Sequence, residues 1–350
     1  MEEKKKLFDI SWQVDEPTYR NDPALSQSTL ARFERDGFSC IDKLFDKIET
    51  PSLTYGSAVD ALLTGGEDEF NSKFFVANVP TLTDKVEMIA KELFELYGSE
   101  YKYLSDMPRD AMLAVINKWE YQKNWKPETR VKVIIEQAEN YYNILYIANG
   151  KKIVNCEFVE SVRNAVRAVR ESPATSKYFI ELPFSNYTNE YQLKFSTLFN
   201  NVPYRGMMDC LHIDWENKTV QLCDLKTTGH PEYKFFESFI KWRYDIQARL
   251  YWRLVADAMQ CDEYWSEFKL LPSMKFLVVN KDSLTPLCWE FKDAYKYGTL
   301  KYGDLELRDP FDIGIELQTY LDDRNIKVPL GISESEPNDI VEYLTLRKND

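Results

Sequence analysis

The stretch from 204 to 225 constrains this chain more than any other, because it reads as a β-hairpin with acids in fixed places. Residues 204–213 and 219–225 are β-rich runs, and Asp214-Trp-Glu-Asn-Lys218 between them supplies turn chemistry. Strand side chains alternate faces, so Asp224 and Lys226 point one way and Leu225 the other. Asp209, on the neighbouring strand, can meet them across the ladder. Two carboxylates and one ammonium are therefore expected to converge at a strand end.

The surrounding pattern is that of an α/β protein. Residues 178–182 and 191–199 read as two further strands, 274–279 as a buried one and 287–291 as another. Helical spacing is expected over 24–48, where Ser26 can cap, and over 55–63, which opens at Gly56 and closes at Gly65-Gly66 with Asp60 mid-helix. It is expected again over 235–259, 293–302 and 312–323. From 81 to 172 the pattern is helical throughout, broken at Met107-Pro108, Lys126-Pro127 and Asn149-Gly150. The expected organisation is one domain over 1–350: N-terminal helices at 24–80, an inserted helical layer at 81–172, the sheet-bearing region at 173–300 and an acidic extension at 301–350.

Composition excludes several classes. The six cysteines are scattered with no CxxC pair, which suits a reducing cytoplasm and neither a zinc site nor an iron–sulfur cluster. Met1-Glu-Glu-Lys-Lys-Lys runs into Leu7-Phe8-Asp9-Ile10 without an apolar core, so no signal peptide is expected, and no stretch approaches the roughly 18 apolar residues of a membrane span. There is no phosphate-binding G-x-x-x-x-G-K-[ST] loop and no G-x-S-x-G elbow. Neither histidine offers a second chemistry. His212 points with Cys210, away from Asp209, and His230 lies in a Gly-His-Pro turn.

A net charge of −13 argues at first against a nucleic-acid partner. Its distribution weakens the objection. Residues 304–350 carry 12 acidic against 5 basic side chains, whereas 204–253 carry 8 basic against 7 acidic. Two carboxylates beside a lysine suit phosphodiester hydrolysis: hard oxygens hold Mg²⁺ or Mn²⁺, and the lysine orients the attacking water or stabilises phosphate charge. An Asp-x-Lys pair alone also describes a solvated strand face. Its company raises its meaning: Gln247 and Tyr251, four apart, share a face of the following helix, which also carries Lys241, Arg243 and Arg249.

The order Gly56-x-x-x-Asp60, Glu181, Gly206-x-x-Asp209, Asp224-x-Lys226-Thr227-Thr228 and Gln247-x-x-x-Tyr251 resembles the RecB-like branch of the PD-(D/E)xK nucleases, nearest to RecE-type exonuclease VIII. Leu25-Ser-Gln-Ser-Thr-Leu30 and the segment from Tyr55 to Leu63 resemble that group's N-terminal helices. The likeness covers about residues 25–295, with 81–150 matching poorly. It implies an αβββαβ core, a mixed sheet flanked by helices, here with an inserted helical region. It also implies a metal-dependent exodeoxyribonuclease degrading linear double-stranded DNA from its ends, 5′ to 3′, in recombination or repair.

By the same resemblance, Asp60, Asp209, Asp224, the main-chain oxygen of Leu225 and Glu181 hold Mg²⁺, with Mn²⁺ able to substitute. Lys226, Asp209, Asp224 and Gln247 serve catalysis, while Tyr251, Arg205, Thr227, Lys241, Arg243 and Arg249 contact DNA. A ring-shaped homo-oligomer, a single-strand annealing partner and a bacterial or phage source are implied as well. One departure stands out: relatives carry a histidine where this chain has Asp60, which leaves the number of metals open. The alternatives are a catalytically silent DNA-binding or assembly module on the same fold, or a single-strand or CRISPR-adaptation nuclease.

Overall fold

Side chains and turns dictate the strand order before any packing is considered. Asn200 and Asn201 both adopt left-handed backbone, φ 49° and 62°, which is the geometry of a two-residue hairpin turn that Asn tolerates. In the next turn Asp214 Oδ1 accepts from the main-chain N–H groups of Glu216 and Asn217, both at 3.0 Å, and Lys218 turns through φ 48°. The computed structural model describes residues 4–46, 48–182 and 185–323, so the final part of the expected acidic extension lies outside the described residues.

Along the chain run helices α1 (Glu16–Asn21), α2 (Gln27–Asp36), α3 (Pro51–Asp60) and α4 (Gly66–Lys73), then strand β1 (Phe74–Val76). Helices α5 (Asp84–Tyr97), α6 (Arg109–Lys118) and α7 (Pro127–Ala148), strand β2 (Lys152–Val154) and helix α8 (Cys156–Glu171) follow. Strands β3 (Tyr187–Phe199), β4 (Val202–Asp214) and β5 (Thr219–Thr228) come next, then helices α9 (Phe235–Lys241) and α10 (Tyr244–Gln260). The described chain ends with β6 (Lys269–Asn280), β7 (Leu287–Phe291), β8 (Leu300–Tyr302), β9 (Leu305–Leu307) and α11 (Pro310–Asp323). None of the described helices is long and apolar enough to cross a membrane.

Two compact units result, one from residues up to Thr64 together with those from Ala165 onward, the other Gly65–Asn164. The first holds a mixed five-stranded sheet in the order β3-β4-β5-β6-β7, in which only β5 and β6 pair in parallel. A helix, three strands, a helical segment and a strand thus succeed one another, with β7 added at the edge. Its core joins Leu211 and Leu222 of the sheet to Phe276 and Val278, to Ile246, Leu250 and Leu254 of α10 and to Leu317 and Tyr320 of α11. Burying each such side chain contributes roughly 1.5–3 kcal/mol. The second unit is helical apart from the parallel pair β1–β2 and closes its own core around Ile89, Leu93, Ile116, Ile134 and Tyr142.

Four expectations are corrected. Residues 178–182 form no strand: Ser176–Tyr178 is a 3₁₀ turn, because Asn189 Nδ2 and Tyr191 Oη donate to the carbonyls of Lys177 and Tyr178, at 3.0 and 2.9 Å, in place of a ladder. The helix expected over 24–48 stops at Asp36, where Gly37 turns through φ 61° into a 3₁₀ segment. The one expected over 235–259 is two helices, because Arg243 is left-handed, φ 54°, and is held there by ion pairs to Glu34 and Asp245 at 2.7 and 2.9 Å. Over 293–302 there is no helix. Gly298 and Gly303 take positive φ, and Arg249 claims the carbonyls of Lys296 and Gly298, leaving a short β8–β9 hairpin.

Candidate active site

Strand pairing delivers the expected acids to one place. Cys210 pairs with Cys223 and Leu211 with Leu222 in the antiparallel β4–β5 ladder, so Asp209 and Asp224 come next in register and share a face. Asp209 Oδ2 accepts from the main-chain N–H of Leu225 at 3.0 Å. Lys226 Nζ lies 2.6 Å from Asp224 Oδ2, and Gln247 Nε2 donates to Asp224 Oδ1 at 2.5 Å. Asp224 is 1% exposed, and Lys226 keeps 18% of its side chain open to solvent.

Helices close the site from two directions. Tyr244 and Gln247, three apart on α10, look at the sheet together: the Lys226 ammonium sits 4.6 Å from the Tyr244 ring centroid. Tyr251, one turn beyond Gln247, packs against Gly206, where a Cβ would come within 2.8 Å of its ring and of Leu254. The glycine of the Gly-x-x-Asp motif is thus a close-approach position. Gly206→Ala is expected to cost about 1–3 kcal/mol by overpacking, read as a lowered thermal midpoint. α3 crosses β5 in the same manner, since a Cβ on Gly56 would lie 3.2 Å from Thr227 Oγ1. That crossing carries Asp60 to the site, at the end of α3 just before a π-helical turn, Ala61–Gly65, rather than mid-helix.

The electrostatics record an excess of negative charge. Burial, then the charges of Asp224 and Asp60, push the Asp209 carboxyl well above the usual carboxylate range, and Lys226 and the Leu225 N–H only partly oppose them. Burial works against the Lys226 ammonium, but Asp224, Tyr244 and Asp209 together outweigh it and raise its pKa. Lys226 is thereby held in its charged form more firmly than a free lysine. Gln247 Oε1 is buried with no hydrogen-bond partner, an acceptor left open beside the acids.

Other expected residues lie elsewhere. Glu181 is exposed, and its Oε1 accepts from the Asn189 N–H at 2.9 Å; the acids that weigh on Asp209 are Asp224 and Asp60. Arg205 lies over the Tyr19 ring at 4.6 Å and donates to the Ala24 carbonyl. Arg243 is spent on Glu34 and Asp245, and Arg249, 2% exposed, on Asp309 and three carbonyls. None of these three offers a guanidinium to a phosphate backbone. Thr227 is half-buried under Gly56, Tyr251 is a buried wall of the site, and Lys241 is exposed with its ammonium 5.0 Å from the Trp242 ring centroid. His212 turns with Cys210 toward Tyr178, as expected, and burial lowers its pKa to about 4.

Two residues escaped sequence reading. Tyr244 could have been found from its i, i+3 spacing to Gln247. Gln192 carried no signal: it comes to the site because it stands opposite Asp209 on β3, with Tyr191↔Cys210 and Leu193↔Met208 pairing on either side.

In donor chemistry the site suits a hard divalent cation, since carboxylate oxygens are its preferred ligands and Asp209 shows the negative surplus that such a cation would offset. Among the described residues, no group of three or more His, Cys, Asp or Glu side chains is arranged to hold a metal ion. Protein groups already engage the acids: Asp224 is held by Lys226 and Gln247, and Asp60 by Gln192. A cation would compete with them.

No protein-family model and no curated protein matches the sequence. A solved structure from Eubacterium rectale, described as a candidate exonuclease, aligns over 80% of this chain and 77% of its own length, with 13% sequence identity and a TM-score of 0.39. A likeness that slight carries no functional argument.

Proposed function

We propose that this chain is a metal-dependent exodeoxyribonuclease that degrades linear double-stranded DNA from its ends. One observation supports the reading above the rest: Asp209, Asp224 and Lys226 converge in one largely buried cluster, with Asp60 close enough to add its charge and net negative character to spare. Asp209, Asp224, Asp60 and the main-chain oxygen of Leu225 would hold Mg²⁺ or Mn²⁺. Bound there, such an ion would supply Lewis acidity toward water and countercharge for the phosphate. Lys226, kept protonated by its neighbours, stabilises negative charge developing on the phosphate oxygens. Gln247 holds Asp224 in place and presents Oε1 as the acceptor that orients the attacking water. Tyr251 walls the pocket against bulk solvent.

The 5′ to 3′ polarity, a role in recombination or repair, a ring-shaped homo-oligomer and a single-strand annealing partner come from the sequence resemblance. Purified protein with Mg²⁺ is expected to release nucleotides from linear duplex, to leave circular duplex intact and to stop when the metal is chelated. Release from single strands alone would point instead to a single-strand nuclease of the same superfamily. A second reading, a silent DNA-binding module, is favoured by one observation: the protein's own Lys226 and Gln247 occupy both oxygens of Asp224. That reading predicts no nucleotide release from any of the three substrates.

A further inference from the structure

We propose that Tyr244 is the positioning residue for Lys226, holding its ammonium beside Asp224 by the face of an aromatic ring. The inference rests on the role given to Lys226 above and not on which groups hold a metal. The ammonium lies 4.6 Å from the Tyr244 ring centroid and 2.6 Å from Asp224 Oδ2, so a ring and a carboxylate grip it together. The ring is itself fixed. It stacks on Phe235 at 5.9 Å and 19° and on Phe276 at 5.8 Å and 24°, and meets Phe239 edge-on at 6.4 Å. Phe276 is the register partner of Asp224 on β6, so one strand pair sets both the acid and the platform under the ring. The backbone just before Tyr244 is held in a left-handed conformation, Arg243 at φ 54°, by the ion pairs to Glu34 and Asp245, and α10 starts anew at Tyr244. Strain kept next to a residue that touches the candidate site is the kind of outlier from which function is inferred.

The chemistry explains why a ring suits this position. A lysine ammonium rides on a flexible four-carbon stem, and 18% of the Lys226 side chain is open to solvent. One ion pair leaves it a way to swing outward. The face of an aromatic ring adds a second anchor, because its quadrupole attracts a cation. Being neutral, the ring draws the ammonium without adding to the countercharge of Asp224; a second carboxylate here would cancel what Lys226 has to offer. The charge then stays where phosphate charge develops, with no reorganisation needed at the moment of reaction.

Substitutions at 244 in the full chain, assayed by nucleotide release from linear duplex with Mg²⁺, test this. Tyr244→Leu removes the ring and is expected to lower kcat about tenfold with KM unchanged, within the worth of a desolvated contact between a cation and a ring. Tyr244→Phe keeps the face and should keep the wild-type rate. Trifluorophenylalanine at 244 keeps the shape and the stacking but drains the face of negative potential, and should lower kcat as Tyr244→Leu does. In metal-free urea unfolding, Tyr244→Leu should shift the midpoint less in a Lys226→Ala background than in wild type, a coupling that ring stacking alone does not produce. A loss in Tyr244→Leu that trifluorophenylalanine does not share makes the ring a structural wall and overturns the inference. Wild-type kcat in both, with Lys226→Ala impaired, also overturns it and leaves the nuclease reading standing. No nucleotide release by wild type overturns that reading, and this inference with it.

Discussion

Lys226→Ala is expected to lower Mg²⁺-dependent degradation of linear duplex by about 10²–10³-fold and, independently, to weaken the metal-free fold. The first effect follows from removing the cation paired with Asp224, the second from what stays behind. Asp224 is 1% exposed and Lys226 is its ion-pair partner, 2.6 Å away. Deleting one member of a buried pair typically costs about 3–5 kcal/mol, because the survivor is left as an uncompensated charge. Loss of the contact with the Tyr244 ring adds to this. The two effects separate on adding metal: Mn²⁺ can replace the missing positive charge, and binding at a hundredfold excess over Kd returns about 2.7 kcal/mol. Urea unfolding with and without Mn²⁺ should show a larger metal-induced gain in the variant than in wild type, although activity stays lost. A variant as stable and as active as wild type would remove both the buried pair and the mechanism.

Arg249→Met should have a comparably large effect on stability and no direct effect on DNA binding. The guanidinium pairs with Asp309 at 2.7 Å and donates to the carbonyls of Lys296, Gly298 and Arg308 at 3.0, 2.5 and 3.2 Å. It ties α10 to the segment that leads through β8–β9 into α11. Methionine fills much of the volume but satisfies none of these groups, so Asp309, 4% exposed, loses its ion-pair partner and keeps only the main-chain N–H groups of Gly298 and Phe311. A loss of about 3–5 kcal/mol is expected in urea unfolding. The slope of DNA affinity against salt should not change, because a buried arginine releases no counterion from a phosphate backbone. A shallower slope with unchanged stability would return Arg249 to the DNA-contacting role that its sequence position suggested.

The contrast between these two residues shows what is legible in a sequence. Lys226 could be placed because it is two residues from Asp224 on one strand, and a period of two is a local property of extended backbone. The Asp214–Lys218 turn brought Asp209 alongside for the same reason, whereas the close approaches at Gly206 and Gly56 that seat Tyr251 and α3 emerged only in the fold. The breaks between α5, α6, α7 and α8 were equally local, set by Pro and Gly. Arg249 was misread because an arginine on a helix looks exposed until its partner is known, and Asp309 lies 60 residues away. Arg243 broke a helix for a bond to Glu34, 209 residues distant. Glu181 had the right chemistry in the wrong place, while Gln192, with no acidic signal, stood opposite Asp209.

Sequence alone therefore determined which residues share a strand face and where hairpins turn, because those depend on backbone geometry within a few residues. Only the tertiary structure decided which charged side chains gather around Asp209 and which are buried in ion pairs elsewhere, that the neighbours of Lys226 raise its pKa, and that an amide bonds Asp60. Those properties arise from partners tens to hundreds of residues apart and from the loss of water around them, neither of which spacing along a chain records.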